Sequence, residues 1–247
     1  MKAVILGASG LMGGLVGRRL EESGADVVRA HRGSGVDAVT GVGLADAIVG
    51  ADVVVDCLNV TTSSGRKAIG FFAAAAGNVS RAVDAAGARL VCLSICNTAD
   101  PAVNKRMGYY RGKAAQERVY RENLGDRATV VATTQWFELA ATMLDRLSAG
   151  PIAMVPHMLT APLAAVDGAA VIADTALGEA HQGKTLVTVR GPQRLDLADV
   201  GRVLRRQQGK RAPVAINFGG PALRDGRLIP DPADVVTETT LEQWLAF

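Results

Sequence analysis

The chain of 247 residues carries 27 lysine and arginine residues against 24 aspartate and glutamate residues, a formal net charge of +3. This small and dispersed excess argues against nucleic acid as a direct partner. The length is enough for one large core, and a domain of alternating strands and helices commonly uses such a length, so we predict a single domain over residues 1–247.

The first strand and helix predict a site for a dinucleotide. Residues 2–6 form an apolar run, and a turn with glycine at every third position follows it directly. Gly7 suits the tight turn, Gly10 lets the backbone approach a pyrophosphate, and Gly13 lets the helix pack against the strand. N–H groups at the start of the helix would face the anion. The expected binding residues are Gly7, Ser9, Gly10, Leu11, Met12 and Gly13; a plain strand-to-helix turn is the alternative.

Short β-branched runs alternate with longer helical segments up to residue 133, which is typical of parallel βαβ units. The predicted strands are Lys2–Leu6, Ala25–Ala30, Val36–Val39, Ala51–Asp56, Arg89–Ser94 and Ala128–Ala132. The predicted helices between them are Leu11–Ser23, Leu44–Val49, Arg66–Ala86 and Tyr109–Leu124. The strands are almost continuously apolar, as expected where helices cover both faces. This pattern predicts a doubly wound parallel α/β sheet of Rossmann type over about residues 1–133.

Beyond Thr133 prolines become frequent, and Pro101 is the only one of the nine that precedes this point. Such a density favours short elements and loops. Here we predict helices near Val166–Leu177 and Leu197–Gln207, a strand near Lys184–Val189 and a closing helix Leu241–Phe247. We expect these elements to form a smaller C-terminal α/β lobe, about residues 134–247, over the carboxyl ends of the strands.

Cysteine and histidine positions predict no metal site. Cys57, Cys92 and Cys96 fall in or just after apolar segments, without a C-x-x-C pair and without ligand spacing to the three histidines. Reduced core thiols indicate a cytoplasmic protein. The chain enters a strand without a charged leader, and polar residues interrupt its most apolar stretch, residues 68–86. We therefore expect no signal peptide and no membrane span.

The end of the second predicted strand favours NADP over NAD. An NAD site usually carries Asp or Glu there, whereas a 2′-phosphate calls for cations. This strand ends in His31 and Arg32 without a carboxylate, and Asp26 lies at its opposite end. The planar guanidinium of Arg32 suits a phosphate, although a solvated arginine is the alternative. We expect NADP as cofactor, with NAD possible, and both His31 and Arg32 beside its ribose.

A tyrosine and a lysine open the helix after the fifth predicted strand. Tyr109 and Lys113 are four residues apart and share a helix face. A phenol titrates near pH ~10 in water, and a neighbouring ammonium favours the phenolate, so the pair suits general acid–base work on a carbonyl that receives a hydride. Such a pair also arises by chance, because tyrosine is often a core residue. Tyr110, three residues before Lys113, is the rival phenol.

The spacing G-x-x-G-x-x-G and the segment Gly-Tyr-Tyr-x-x-Lys-x-x-x-Glu at residues 108–117 resemble the atypical short-chain dehydrogenases/reductases, in particular the NmrA-like NAD(P)-binding proteins. Residues 163–170 and the closing residues 244–245 look like family segments too, so the resemblance extends over nearly the whole chain. It implies that Tyr109 donates a proton and that Lys113 orients the phenol and the nicotinamide ribose. Only the four-residue spacing repeats the family arrangement, which favours Tyr109 over Tyr110.

The family's third catalytic residue, a serine near the end of this strand, has Ser94 as its candidate. The position thirteen residues before Tyr109, where typical short-chain enzymes place the hydroxyl, holds Cys96. A thiol is a weaker hydrogen-bond donor than a hydroxyl. Ser94 is thus either the substrate donor of a Ser-Tyr-Lys triad or an ordinary strand-end residue.

The segment after the sixth predicted strand resembles the family segment that runs under the nicotinamide into the substrate pocket. There Trp136 and Phe137 would form a flat apolar wall for a small organic substrate. A core plug between the two lobes is the equal alternative. Asn59 follows the fourth predicted strand, where the loop should pass the cofactor ribose.

These features together predict an NADP(H)-dependent reductase that transfers a hydride between the nicotinamide and a small carbonyl, enone or imine. The rival is a redox-sensing regulator of NmrA-like type that binds NADP or NAD through the same turn and does no chemistry. Such regulators lack the Tyr/Lys pair, so its presence favours an enzyme by analogy. A nucleotide-sugar epimerase of the extended type is disfavoured by the small C-terminal lobe.

Overall fold

Neighbouring residues of the first strand face opposite cores. The computed structural model describes residues 1–62, 64–146, 148–149, 152–217 and 220–246. In the strand Lys2–Leu6, Val4 and Leu6 pack into one core, and Ala3 and Ile5 pack into another. Both faces of the strand are therefore covered, which explains its uninterrupted apolar run.

The strands of the main sheet are β1 (Lys2–Leu6), β2 (Asp26–Ala30), β3 (Val53–Asp56), β4 (Arg89–Ile95), β5 (Ala128–Thr133), β9 (Leu186–Arg190) and β12 (Val235–Val236). Smaller sheets contain β6 (Ser148–Ala149), β7 (Ile152–Pro156), β8 (Leu159–Thr160), β10 (Leu195–Asp196) and β11 (Val214–Ile216). The helices are α1 (Leu11–Glu22), α2 (Leu44–Ile48), α3 (Gly65–Ala86), α4 (Pro101–Asn104), α5 (Gly108–Leu124), α6 (Phe137–Arg146), α7 (Ala165–Leu177), α8 (Leu197–Gln207) and α9 (Leu241–Trp244). Most of the elements predicted in the first 133 residues are confirmed within one or two residues.

The main sheet is parallel, with the strand order β12-β9-β5-β4-β3-β1-β2. Its order reverses at β1, which pairs with β2 on one side and β3 on the other. Helices α1 and α7 cover one face, and α2, α3 and α5 cover the other. This is the predicted doubly wound α/β fold, in which ligands bind beyond the carboxyl ends of the strands near the reversal point.

The segment Val36–Val39 is not a strand, contrary to prediction, and β2 is an edge strand of the sheet. The side chain of Asp37 accepts hydrogen bonds from the backbone N–H groups of Val39 and Thr40, which folds the segment into a turn. The Asn78 amide on α3 then donates to the carbonyls of residues 38 and 39. The carbonyls of residues 38 and 39, which in a strand would accept hydrogen bonds from β2, therefore accept them from the Asn78 side chain on α3.

The C-terminal part is divided differently from the expectation. The strand expected in the lobe near Lys184–Val189 is β9, which pairs with β5 in the main sheet and places Val187 and Val189 in the same core as α1. Helix α7 packs beside α1. The lobe proper consists of α6, α8 and the small sheets around a third core, which also includes Tyr110. Among the helices of the described ranges, none combines the length and apolar character needed to cross a membrane.

Candidate functional site

Two of the three glycines in the turn after β1 are required by close packing. Gly7 has φ +75°, and a Cβ atom there would lie 2.8 Å from the carbonyl oxygen of Cys57. A Cβ atom on Gly13 would lie 2.4 Å from the carbonyl oxygen of Gly7. Side chains at these positions would push the helix and β3 away from the turn, so both glycines hold its shape.

The middle glycine is exposed. A Cβ atom on Gly10 would meet only the Gly7 carbonyl oxygen, at 3.3 Å. Gly10 is the N-cap of α1 and provides no capping side chain, and Ser9 and Leu11 beside it are exposed. The first N–H groups of a helix have no partner within the helix, so this end of α1 presents free donors. Met12 is buried in the core and can contribute only its backbone.

The end of β2 lies against the glycine turn. The backbone N–H groups of Gly7 and Ala8 both donate to the carbonyl of Ala30, at 3.0 and 3.4 Å. Beyond it, the His31 N–H donates to the Ser34 hydroxyl in a short 3-10 helix. Arg32 in that helix is exposed, and its guanidinium makes no hydrogen bond or ion pair with the residues that the structure describes.

Helix α5 carries the candidate acid and packs tightly on α3. A Cβ atom on Gly112 would lie 2.8 Å from both Ala68 Cβ and Phe72 Cδ2. This close approach places the Phe72 ring edge-on to Tyr109, with the ring centroids 5.7 Å apart, and 4.6 Å from the Lys113 ammonium. The two predicted residues Tyr109 and Lys113 therefore share one aromatic neighbour.

The two tyrosines at the start of α5 have different surroundings. Tyr110 is 2% exposed, belongs to the third core and accepts a hydrogen bond from Gln135 Nε2 at 2.8 Å. Tyr109 is only partly buried. Burial raises the pKa of Tyr109, and the Lys113 charge, which favours the phenolate, lowers it by less. The expected fall in this pKa is therefore not observed, and Tyr109 is a neutral phenol suited to donating a proton.

Lys113 is 3% exposed and lies under the candidate acid. Its Nζ donates to the Leu93 carbonyl and to Gln116 Oε1, both at 2.8 Å. Burial opposes the charge on Lys113, but the nearby Tyr109, Cys92, Asp56 and Glu117 groups raise its pKa above the usual value. Lys113 therefore stays charged, and two of its three N–H donors are already used in hydrogen bonds within the protein.

Ser94 lies within β4 and is buried, and its hydroxyl donates to Glu117 Oε1. The Thr98 hydroxyl donates to the same oxygen at 2.9 Å. The single O–H donor of Ser94 is therefore already used, as in the strand-residue alternative. Cys96 is also buried, its thiol contacts the Ala132 carbonyl at 3.1 Å, and burial raises its pKa to about 12.

The two aromatic residues after β5 are separated by the fold. Phe137 is fully buried in the third core and stacks on Trp244, with ring centroids 5.3 Å apart, which is the core-plug alternative. Trp136 is only partly buried, and its indole N–H donates to Thr133 Oγ1 at 3.0 Å. Asn59 is exposed in the loop after β3, where its side chain accepts from the N–H of Val60.

Sequence reasoning missed a group of buried polar residues behind Lys113. Asp56, at the end of β3, accepts hydrogen bonds from Gln116 Nε2 at 2.6 Å and from the Tyr120 hydroxyl at 2.5 Å. The available signal was a carboxylate closing an otherwise apolar strand, together with a glutamine three residues after Lys113. Within the described residues, no group of three or more His, Cys, Asp or Glu is placed to hold a metal ion.

Comparison with known proteins places the fold. No protein-family model matches the chain, and no curated protein matches its sequence. Solved structures do match. A dTDP-4-dehydrorhamnose reductase from Bacillus anthracis in complex with NADP is 14% identical, with a TM-score of 0.68, and the match covers 88% of this chain and 84% of that chain.

Two further structures match over the whole of this chain. A short-chain dehydrogenase/reductase superfamily protein from Agrobacterium tumefaciens with bound NAD is 16% identical, with a TM-score of 0.72 and 95% of that chain covered. An NAD-dependent NDP-hexosamine 5,6-dehydratase involved in tunicamycin biosynthesis is 15% identical, with a TM-score of 0.64 and 98% of that chain covered. At these identities the likeness establishes the fold alone, which is the doubly wound α/β architecture.

Proposed function

We propose that the protein is an NADP(H)-dependent oxidoreductase of the short-chain dehydrogenase/reductase type, which transfers a hydride between the nicotinamide and a small carbonyl, enone or imine. The observation that carries the proposal is the placement of two features at one edge of the sheet. The glycine turn follows β1, and Tyr109 lies in the first turn of α5, which follows β4 by way of α4. In a parallel sheet the carboxyl ends of the strands meet at the same edge.

The residues of the turn fit a dinucleotide. Gly10 is exposed and has no side chain to shield its backbone, and the uncapped start of α1 provides donors for a pyrophosphate. The unpaired guanidinium of Arg32 fits a 2′-phosphate better than a bare ribose. His31 and Asn59 would border the ribose. These features favour NADP, and NAD is the alternative cofactor.

A neutral phenol fits the reductive direction. When bound, NADPH supplies a hydride. Tyr109 then donates its proton to the developing oxyanion or nitrogen anion, and the fixed positive charge of Lys113 stabilises the phenolate that remains. Ser94 stands only as a candidate for a role in substrate binding, because its hydroxyl donates to Glu117. Trp136, which is partly buried, is the better of the two aromatic candidates for the substrate wall.

A sugar nucleotide is a second candidate substrate class. We expected the small C-terminal lobe to disfavour a nucleotide-sugar epimerase of the extended type, but the chain covers 98% of the NDP-hexosamine dehydratase and 84% of the dTDP-4-dehydrorhamnose reductase. Enzymes named for such substrates therefore have chains of comparable length. Lobe size gives no argument against a keto sugar attached to a nucleotide.

The test is NADPH oxidation with a panel of aldehydes, ketones, enones, imines and one nucleotide-linked 4-keto sugar. Tyr109→Phe should lower kcat by about 100-fold or more, since general acid catalysis contributes about 10²–10⁴, and should leave the Kd for NADPH unchanged. Tyr110→Phe is the matched control: it removes a neighbouring phenol from the core and should reduce stability but retain kcat.

Two outcomes would change the assignment. If Tyr110→Phe loses turnover and Tyr109→Phe retains it, the acid is Tyr110. If the wild type binds NADPH tightly and oxidises it with no substrate of the panel, the redox-sensing regulator becomes the better description.

A further inference from the structure

A buried chain of hydrogen bonds joins the end of β3 to the lysine under the candidate acid. Gln116 Nε2 donates to Asp56 Oδ2 at 2.6 Å, and Lys113 Nζ donates to Gln116 Oε1 at 2.8 Å. Asp56 and Gln116 are both 0% exposed, and Lys113 is 3% exposed. The three side chains are therefore connected without contact with bulk solvent.

The chemistry of the two ends fixes the orientation of the central amide. An ionised carboxylate can only accept hydrogen bonds, and an ammonium can only donate them. The amide of Gln116 therefore has to turn its NH2 group to Asp56 and its oxygen to Lys113. The reverse orientation would place two acceptors together at one end and two donors at the other. The two ends thus favour the same orientation, in which Gln116 Oε1 meets Lys113 and Gln116 Nε2 meets Asp56.

The other contacts of Lys113 come from different elements, so Gln116 has a separate role in holding its ammonium. Lys113 also donates to the Leu93 carbonyl of β4 and lies 4.6 Å from the centre of the Phe72 ring. Leu93 and Phe72 belong to the sheet and to α3, whereas Gln116 is one turn along the same helix. Gln116 therefore supplies the side-chain acceptor that fixes where the ammonium lies relative to α5 and to Tyr109.

We propose that Asp56 and Gln116 are positioning residues, which hold the Lys113 ammonium in place and, through it, align the Tyr109 phenol for proton donation. The proposal rests on the proposed function. Both residues are 0% exposed, so their action on a substrate is indirect, through Lys113. A buried polar chain costs desolvation, and an apolar replacement of similar volume is often neutral or stabilising, so stability alone does not require it.

The test moves the carboxylate along the chain. Asp56→Asn keeps the shape of the side chain but replaces the carboxylate acceptor of Gln116 Nε2 with a neutral amide oxygen, so the hydrogen bond that holds the Gln116 amide is weakened. We expect kcat to fall about 10- to 100-fold, the range for losing a hydrogen bond to a charged group, with KM and the Kd for NADPH changed less than about threefold.

The double variant Asp56→Asn/Gln116→Glu restores an acceptor for Lys113 and keeps the net charge of the group. The carboxylate introduced at position 116 accepts from the lysine and from the amide introduced at position 56. We expect kcat to recover to within about threefold of the wild type. Tyr120→Phe is the control, because it removes another buried donor to the same Asp56 oxygen and Tyr120 makes no hydrogen bond to Lys113. It should lower stability and leave kcat unchanged.

A second readout uses the protein without cofactor. A buried, hydrogen-bonded ammonium exchanges its protons slowly, so its ¹⁵Nζ resonance is observable by NMR and is assigned by its loss in Lys113→Met. We expect the resonance in the wild type, in Tyr120→Phe and in the double variant, and its broadening or loss in Asp56→Asn.

The proposal is overturned if Asp56→Asn keeps both kcat and the resonance and loses only stability, as Tyr120→Phe does. It is also overturned if the double variant recovers neither. Failure of the proposed function would instead appear as absence of turnover in the wild type. The resonance then still decides whether Asp56 and Gln116 hold Lys113.

Discussion

The glycine turn and the Asp56–Gln116–Lys113 chain lie at neighbouring strand ends but are built in opposite ways. The turn uses backbone atoms from seven consecutive residues and leaves Gly10 exposed. The chain uses side chains, and the hydrogen bond from Gln116 to Asp56 joins residues 60 positions apart. Binding an anion needs exposed donors, whereas holding a charge under an acid needs buried partners. The two regions therefore tolerate different substitutions. We expect the largest effect from substitutions of the glycines.

Gly10→Val should fold normally and lose NADPH affinity by about 1000-fold, or about 4 kcal/mol, because its side chain fills the space that the pyrophosphate needs. Fluorescence titration measures the Kd. Gly13→Ala is the contrasting variant: its Cβ would lie 2.4 Å from the Gly7 carbonyl, so urea unfolding should show a loss of about 1–3 kcal/mol. Unfolding of Gly10→Val would show instead that the middle glycine also serves packing.

Arg32→Ala should weaken NADPH binding by about 10- to 100-fold and leave NADH binding unchanged, since a hydrogen bond to a charged group contributes about 1.5–3 kcal/mol. Arg29→Ala, at the end of β2 three residues before Arg32, is the matched control, because Arg29 is already paired with Glu21 through two hydrogen bonds. Titrations of both nucleotides give the ratio of affinities. Equal effects of the two substitutions would remove the case for a 2′-phosphate contact.

Glu117→Gln should change the pH dependence of stability, the smallest of these effects. Burial raises the pKa of Glu117 more than the hydrogen bonds from Ser94 and Thr98 lower it. The folded protein therefore keeps this proton to higher pH than the unfolded chain, and this contribution to stability is lost as pH rises through the folded pKa. Urea unfolding at several values between pH 5 and 8 should show a shallower decline in Glu117→Gln than in the wild type.

Glu122→Gln, an exposed change on the same helix, should leave that dependence unchanged. A slope that is equal in all three proteins would mean that Glu117 ionises as freely in the folded protein as in the unfolded chain.

The sequence predicts well where short-range rules decide the structure. Helix α8 spans Leu197–Gln207 as predicted, and its start is fixed locally by the Asp196 carboxylate, which accepts from the N–H of Ala198. The glycine turn follows from spacing alone. In contrast, the segment Val36–Val39 has a strand-like composition, but Asn78 takes its carbonyls from 40 positions away.

The hydrogen-bond chain Asp56–Gln116–Lys113 at the candidate site likewise depends on long-range contacts that the sequence does not predict. A carboxylate at the end of β3 is visible in the sequence, but its partners are not, because they depend on how α5 lies across the sheet. Likewise, Phe137 and Trp136 are adjacent and chemically similar, and only the packing of Trp244 on Phe137 distinguishes a core residue from a partly open one. Side-chain partners across the fold are a property of the packing, which the linear pattern does not contain.

The pairing of β9 with β5 has a consequence for how the chain reaches its native state during synthesis. More than fifty residues separate the end of β5 at Thr133 from the start of β9 at Leu186. While the ribosome makes this stretch, β5 presents a free edge of N–H and C=O groups to other nascent chains, which is the kind of surface that promotes aggregation. The proline-rich lobe is thus made while the sheet is still unfinished, and β9 ends that period of exposure.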